Sequence, residues 1–365
     1  MKFTVKSKEF RNALKRVSKI LPAKDVIPVL GTVLIEAEEG GHVVTLTACN
    51  MEIEAKTSVS AEIDVGGAIC ATARALDRAF LLDLGAVTFE LGEHLLALRS
   101  DKARFDFEVI AAGDFSRISF GDFNLHEIDS TVFSDALRFC ALAASECEIR
   151  YYLNGVHIEP RDDCLILEAT NGHLLHRSRL AKHEGLASVI LPNDGVESAL
   201  IALGGSENAR IGITERAWRI EGAELCVTGK VINGSFPDCD RLIPSTVKRL
   251  FFGDARKVEK IVKPLAGLKG AALRVEADET ETKFALDHTA EYTSIKDAEF
   301  NLPVETSGVG LLKLNSRYLQ TTLSGFGDGE LDFGIAGTNF NMMRISDRQT
   351  SSTHERQALL MGLLW

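Results

Sequence analysis

Gly85-Ala86-Val87-Thr88-Phe89-Glu90-Leu91 is the stretch that decides how this chain is read. The glycine closes the segment before it, and Val87, Phe89 and Leu91 then alternate with more polar neighbours at the two-residue period of a half-buried strand. The pattern returns twice. Gly205 is followed by Ala209, Ile211 and Ile213, and Gly325 by Leu331, Phe333 and Ile335. The three glycines are 120 residues apart in both intervals. Each closes a segment of helical spacing (73–85, 194–205 and 316–325), and each strand leads into a turn and a further strand. Solenoid repeats run roughly 20–50 residues, so the object repeated here is a whole small domain.

Working outward, each unit opens with a strand and a helix. In the first, Ser7 is placed to cap a helix whose apolar stripe is Phe10, Leu14, Val17 and Leu21. Lys8, Arg11, Lys15 and Lys19 form a second stripe on that helix. The third unit repeats the design: Asp254 caps, Val258, Ile261, Val262 and Leu265 face inward, and Arg256, Lys257, Lys260 and Lys263 make a basic side. Pro264 is expected to end or kink that helix. In the middle unit Ser134 is placed to cap a helix carrying Leu137, Phe139, Cys140 and Leu142, with Arg138 as its one cation. Strands are expected at 32–36, 43–48 and 52–59, at 155–159, 165–169 and 174–180, and at 273–276, 282–286 and 291–296. Strands with two helices per unit make an α+β fold in three domains, 1–122, 123–246 and 247–365. No Pro-, Ser- or Gly-rich linker separates them, so edge-to-edge packing is expected.

Composition narrows the function. The chain of 365 residues is 45% apolar and 25% charged, ordinary values for globular domains. No apolar run approaches the about 18 residues of a membrane span. Met1–Lys6 alternates like a strand and lacks the apolar core of a signal peptide. Seven scattered cysteines without a C-x-x-C pair read as reduced thiols of a cytoplasmic protein. The net charge is −11, yet residues 1–24 carry eight cations against one acid. Residues 248–269 carry seven cations against two acids. A basic row on one helix reads as a solvated face. Two such rows at equivalent places favour a surface for a polyanion, which the acidic remainder confines to one side.

Chemistry is scarce. The chain contains neither a phosphate-binding G-x-x-x-x-G-K-[ST] loop nor a G-x-S-x-G nucleophile turn. Gly325-Phe326-Gly327-Asp328-Gly329 follows a helix and precedes a strand, the wrong order for a phosphate cradle, and reads as a turn. His173 and His176 on one strand point to opposite faces and do not make a metal pair. With no nucleophile–base set, no catalytic residue, metal site or cofactor is expected. One segment stands out, Glu148-Ile149-Arg150-Tyr151-Tyr152-Leu153-Asn154-Gly155, with two of the four tyrosines side by side. Tyr151 and Tyr152 read either as one buried and one half-exposed ring or as a pair that stacks on bases beside an arginine.

At this segment the chain resembles the β sliding clamp of bacterial DNA polymerase III. Met1-Lys2-Phe3-Thr4-Val5, Pro28-Val29-Leu30-Gly31, Arg150-Tyr151-Tyr152-Leu153-Asn154-Gly155, Thr170-Asn171-Gly172-His173 and Phe236-Pro237-Asp238 carry the resemblance over essentially the full chain. It implies three tandem clamp domains per chain and a head-to-tail homodimeric ring, with helices lining a hole threaded by duplex DNA and sheets outside. It implies no catalysis, and partners that include the polymerase, the clamp loader and other proteins bearing a short clamp-binding peptide. The expected DNA-facing residues are Lys8, Arg11, Lys15, Lys24, Arg74, Tyr151, Tyr152, Arg256, Lys260 and Arg317. The alternative function is a clamp-fold peptide scaffold with weakened DNA encirclement, as the cation-poor middle unit allows.

Carried over motif by motif, the peptide groove would comprise Arg150, Leu153, Thr170, Gly172, His173, Leu174, Leu175, Pro237, Arg241, Leu242, Leu268, Asn315, Tyr318, Leu360 and Met361. Leu153, Leu175, Pro237, Leu242 and Leu360 are expected to build its apolar pocket, with His173 and Asn315 orienting the polar end of the peptide. The dimer seam would use Phe105 and Phe107 against Val262 and Lys263, with Arg99, Lys102 and Arg104 facing Asp297 and Glu299. The chain departs from the family in its Gly362-Leu363-Leu364-Trp365 tail, in Leu174 where arginine is frequent, and in Asn193-Asp194 where basic residues are frequent.

Overall fold

The computed structural model describes residues 1–22, 27–81, 83–93, 95–146, 149–268, 272–278, 281–288, 297–302, 310–336, 342–348 and 354–363. Among them are six α-helices: α1 (Ser7–Ser18), α2 (Ala73–Ala79), α3 (Ser130–Ala141), α4 (Asn193–Leu203), α5 (Ala255–Ala266) and α6 (Ser316–Phe326). The chain divides into two compact units, Met1–Thr131 with Glu197–Val231, and Val132–Val196 with Ile232–Trp365.

The first unit holds one 13-stranded antiparallel sheet, running from an edge at His126–Asp129 to an edge at Glu62–Val65. Its middle seam is the pairing of Cys226–Lys230 with Ile53–Ser60, Val227 opposite Ala55. The second unit holds an eight-stranded sheet, in which Leu174–Ala181 pairs with His354–Met361, and a four-stranded sheet edged by Glu299–Leu302. Strands of the expected middle domain thus continue the sheets on either side, and the seams between repeats are strand ladders rather than linkers. In the first unit α1 packs Phe10 against Phe80 and Phe89, with ring centroids 5.4 and 4.9 Å away. In the second, Phe251 stacks on Phe333 at 4.3 Å.

The threefold repeat shows in one recurring hydrogen bond. The N–H of the first residue of a helix reaches the carbonyl just before a later strand: Ser7 to Gly85 (2.8 Å), Ser130 to Glu207 (2.9 Å) and Ala255 to Gly329 (3.0 Å). Each bond satisfies one of the amides that a helix start leaves without an intrahelical partner.

Several local expectations are corrected by the structure. Ser7 is not the cap of α1 but its first residue, buried, with its hydroxyl donating to Asp83 Oδ1 (3.2 Å). Ser134 likewise lies inside α3, which starts four residues earlier. Asp254 does cap α5, accepting from the Lys257 N–H (2.9 Å). Pro264 does not end α5; it sits in the last turn, where its missing N–H costs a single bond and the helix runs on to Ala266. Of the three spaced glycines, Gly85 and Gly205 adopt positive φ (69° and 81°), whereas in the third repeat it is Gly327 (65°) that does so. Gly325 is helical, and a Cβ there would meet Leu142 Cδ1 at 2.7 Å and Phe139 Cδ2 at 3.0 Å. The equal spacing therefore joins two turn glycines and one packing glycine. The expected strand 291–296 lies outside the described residues.

Candidate functional site

On α1, Phe10, Ala13, Leu14 and Val17 are buried while Lys8, Lys15 and Lys19 are exposed. Arg11 is half-buried and donates through Nε to Asp77 Oδ1 of α2 (3.1 Å). A cleft of ≈ 370 Å³ between these helices is lined by Leu14, Lys15, Lys19, Pro22, Arg74 and Arg78, among others. On α5, Val258, Val262 and Leu265 are buried and Arg256, Lys257, Lys260 and Lys263 are exposed; Arg256 pairs with Asp328. Arg317 is exposed at the start of α6. Lys24 lies outside the described residues.

Helix polarity gives these positions meaning. Lys8, Arg74, Arg256, Lys257 and Arg317 all sit in the first turn of a helix, and α2, α5 and α6 have no acid there. A cation near a helix N-terminus opposes the macrodipole and disfavours folding by roughly 0.3–1 kcal/mol. The same placement adds side-chain charge to the positive end of the helix dipole, a potential that attracts phosphates. The middle helices differ. Arg138 of α3 pairs with Asp135 (3.4 Å), and α4 has no cation but carries Asp194 and Glu197.

The Tyr151 and Tyr152 segment is a single 3-10 turn, Tyr151–Leu153. Tyr151 is exposed, Tyr152 half-buried, and the rings meet edge to face at 5.9 Å. This is the irregular backbone that lets adjacent residues both avoid the core.

All residues expected in the groove fall in the second unit. Thr170, Asn171, Gly172 and His173 form a self-braced turn. Thr170 Oγ1 accepts from the Gly172 N–H (3.1 Å), and Asn171 Oδ1 accepts from the His173 and Leu174 N–H groups (both 2.9 Å). His173 is thereby presented on the surface, stacked on Tyr318 at 5.7 Å and 20°. Its carbonyl accepts from the Met361 N–H (3.0 Å), and the Leu363 N–H continues to the Lys313 carbonyl (2.9 Å). Arg150 lies over Gly172, where an added Cβ would stand 3.5 Å from Nη2.

The apolar pocket differs from expectation. Leu153, Leu174, Leu175 and Leu360 are buried in the core, so they form a floor beneath the exposed side chains and do not project from the surface. Leu175 packs with Cys239 and Leu359, flanked by Phe236, Ile243 and Met342. The exposed apolar groups are Leu242 (48%) and Met361 (42%), with Pro237 exposed beside them and Leu268 half-buried. Asn315 also takes another part: its Oδ1 caps α6, accepting from the Arg317 (3.0 Å) and Tyr318 (3.3 Å) N–H groups. Arg241 is exposed and held to Asp238 Oδ2 (2.8 Å).

At the expected seam, Phe105 and Phe107 are half-buried and stacked at 6.3 Å. Along Arg104–Ala111, residues 104–108 pair on one side only, and the Gly67–Thr72 strand takes just Val109, Ile110 and Ala111. One edge is therefore without a partner strand among the described residues. Glu299–Leu302 is likewise an edge strand. Val262 is corrected: at 0% exposure its side chain belongs to the core of its own unit, and only Lys263 faces outward. The seam charges are already engaged within the chain, Arg99 with Glu90 (3.5 Å), Arg104 with Asp106 (3.3 Å) and Glu299 with Lys283 (2.6 Å).

Sequence reasoning missed two buried polar constellations. His176 is fully buried, with Nδ1 2.8 Å from the Phe139 carbonyl and Nε2 2.9 Å from Thr322 Oγ1; burial pushes its pKa down to about 4. The other is a charged chain in which Arg177 joins Glu168 and Asp240, and Arg161 joins Asp240 and Glu159. The Arg177 hydrogen bond holds the Asp240 carboxyl below the ordinary carboxylate range, with Arg161 assisting. His157, Glu159 and Glu168 bring ligand-type atoms within 4.8 Å of one another, but each carboxylate is engaged by an arginine. The available signal was Glu168, the one charge in the otherwise largely apolar strand Cys164–Thr170, next to a strand that carries Arg177.

Comparison with known proteins follows the same lines. The family models for the N-terminal and central domains of the DNA polymerase III beta subunit match residues 1–119 and 127–238. The beta sliding clamp of Salmonella typhimurium is 30% identical over 258 residues, 67% of this chain and 68% of that protein. That of Caulobacter vibrioides is 25% identical over 353 residues, 92% of this chain and 93% of the relative. Among solved structures, a sliding clamp from Pseudomonas aeruginosa bound to griselimycin superposes with a TM-score of 0.91 at 22% identity, covering 100% of both chains.

Proposed function

Because this chain belongs to the bacterial β sliding clamp family, we propose that it encircles duplex DNA as a head-to-tail homodimer and tethers the replicative polymerase and other partners. It is a processivity factor and not an enzyme. The observation that carries the reading is the set of first-turn cations on α1, α2, α5 and α6. They oppose the helix dipoles and serve folding poorly, while they suit a row of phosphates. Contacts to phosphates without base readout leave the ring free to translate. The chain is read as three clamp domains, 1–122, 123–246 and 247–365. DNA is assigned to Lys8, Arg11, Lys15, Lys24, Arg74, Arg256, Lys260 and Arg317, with Tyr151 and Tyr152 available for an unpaired base.

Ring closure is assigned to the unpaired edge along 104–108 meeting the edge strand Glu299–Leu302 of a second copy, with Phe105, Phe107 and Lys263 at the seam. Sheet addition satisfies both rows of backbone groups and removes two aggregation-prone edges. A partner peptide is assigned to the surface of His173, Tyr318, Leu242, Pro237, Met361 and Arg241, above the Leu175 floor; the griselimycin-bound Pseudomonas clamp supports a ligand site on this fold. A cytoplasmic location accords with DNA replication and reduced thiols, and no helix among the described residues is long and apolar enough to cross a membrane.

Retention on nicked circular DNA, and release when that DNA is linearised, tests encirclement. Failure on both forms, with sedimentation showing monomers at tens of micromolar, overturns the ring. It leaves the second reading, a peptide-binding scaffold, which the cation-poor α3 and α4 favour.

A further inference from the structure

We infer that the Arg177–Asp240 ion pair is a positioning element of the peptide groove, fixing the turn 238–242 and thereby where Leu242 and Arg241 stand as its wall. The inference rests on the groove reading proposed above and adds residues that lie outside the groove itself.

Glu168 and Arg177 are register partners on adjacent strands, and their side chains are 3% and 7% exposed. A guanidinium this desolvated needs partners for its donors, since an unpaired buried charge is strongly destabilising. Its Nε donates to Glu168 Oε2 (2.8 Å) and its Nη1 to Asp240 Oδ1 (2.6 Å). The other Asp240 oxygen lies 3.1 Å from Arg161 Nη1, and Arg161 Nε is in turn held by Glu159 Oε2 (2.7 Å). Asp240, itself half exposed, is therefore bolted by two arginines, Arg177 on the strand Leu174–Ala181 and Arg161 in the turn after Gly155–Pro160.

The turn is braced internally by Asp238, whose Oδ1 accepts from the Asp240 N–H (3.1 Å) and whose Oδ2 pairs with Arg241 (2.8 Å), but these bonds lie within the turn and do not tie it to the sheet. It is a short 3-10 segment, Cys239–Leu242, between stretches without strand pairing. Cys239 sinks into the cluster of Leu175 and Leu359, and Phe236 stacks on His157 at 4.7 Å. Apolar anchors fix the depth of a turn, because burial is non-directional. The bidentate carboxylate fixes its rotation, because charge-assisted hydrogen bonds are directional. With Cys239 and Asp240 directed to the sheet, Leu242 and Arg241 are left on the solvent side. A wall made of one short turn binds well only if it is preorganised.

Two measurements on the full-length protein test this. The first is amide exchange of residues 239–243 in the free protein. Asp240→Asn keeps the shape and removes the charge, and exchange of the Ile243 amide, which donates to the Asp240 carbonyl, is expected to rise about tenfold. The second is fluorescence anisotropy with a synthetic peptide of one glutamine and two leucine or phenylalanine anchors. Asp240→Asn is expected to weaken it about tenfold, Asp240→Glu to restore most of the loss, and Asp240→Asn to cost almost nothing further in a Leu242→Ala background. Unchanged exchange and affinity in Asp240→Asn overturn the inference. Additive losses in the double variant overturn it as well, since Asp240 then acts independently of Leu242. If exchange rises but the wild-type protein does not hold the peptide, the groove reading is what fails, and the inference falls with it.

Discussion

The cationic helix faces and the peptide groove are built in opposite ways. On α1 and α5 the functional groups project from the solvent side of a helix whose other side is fixed by packing, so cations can be added or removed with little effect on the fold. In the groove the exposed contacts are few, and each is held by neighbouring groups: His173 by the Asn171 turn, Met361 by the ladder from Leu360, Leu242 by the Cys239 and Asp240 anchors. The contrast predicts that charge changes on the helices alter DNA binding while sparing stability. Changes beneath the groove should alter stability and binding together.

The largest expected effect breaks the first half of that contrast. Reversing Lys8, Lys15, Lys260 and Arg317 to glutamate is expected to reduce retention on nicked circular DNA on the order of 10³-fold, the salt slope falling by about 0.9 for each phosphate that is no longer neutralised. The thermal midpoint should stay nearly level: glutamates at positions 8 and 317, in first turns, suit the helix dipole, while a glutamate at position 15, in the last turn of α1, opposes it. A large drop in the midpoint would mean that these faces serve the fold.

Next comes the seam. Phe107→Asp places a carboxylate in the stacked pair with Phe105 and should raise the dimer dissociation constant about 100-fold, read by sedimentation across concentration. Raised salt should change subunit exchange in the wild type only modestly, because Arg99, Arg104 and Glu299 already have partners within the chain.

His176 sharpens the second half. Its folded pKa of about 4 lies below the ordinary 6.5, so the unfolded chain takes up the proton first. The stability that comes from keeping the ring neutral is full above about pH 6.5 and declines as pH falls toward 4. At pH 5 the loss amounts to about 2 kcal/mol relative to pH 7. Urea titrations at both pH values should show that difference shrinking in His176→Gln, which retains an amide for Phe139 and Thr322. An equal pH dependence in both proteins refutes the assignment.

The smallest effect is the most local. Leu242→Ala should weaken a glutamine-containing apolar peptide about tenfold without moving the urea midpoint, because the side chain is half exposed. Leu175→Asp would be a poor test of contact: that residue is floor, and a charge there disturbs the Cys239 and Leu359 cluster first.

What could be read early followed from periodicity. Alternation and helical spacing are imposed by backbone geometry, so the cation rows, the six helices and the expected strands that fall among the described residues were legible, although the segment 73–85 is helical only over Ala73–Ala79. Capping was less so: Asp254 behaved as read, but Ser7 and Ser134 lie inside their helices, because a serine at a helix start is decided by which carbonyls lie nearby. The groove residues came by resemblance, and their division into floor and surface did not come with them.

The sequence by itself determined the repeated α+β unit, the polarity of its helices and the absence of a recognisable catalytic motif, since these depend on spacings along one segment. Only the tertiary structure decided that strands of the middle repeat continue the sheets on either side, that Val262 is core, and that Arg177 reaches Asp240, 63 residues away in the chain. Those outcomes depend on register between distant strands. Register is set by the summed burial of whole sheet faces, which no local window of residues contains.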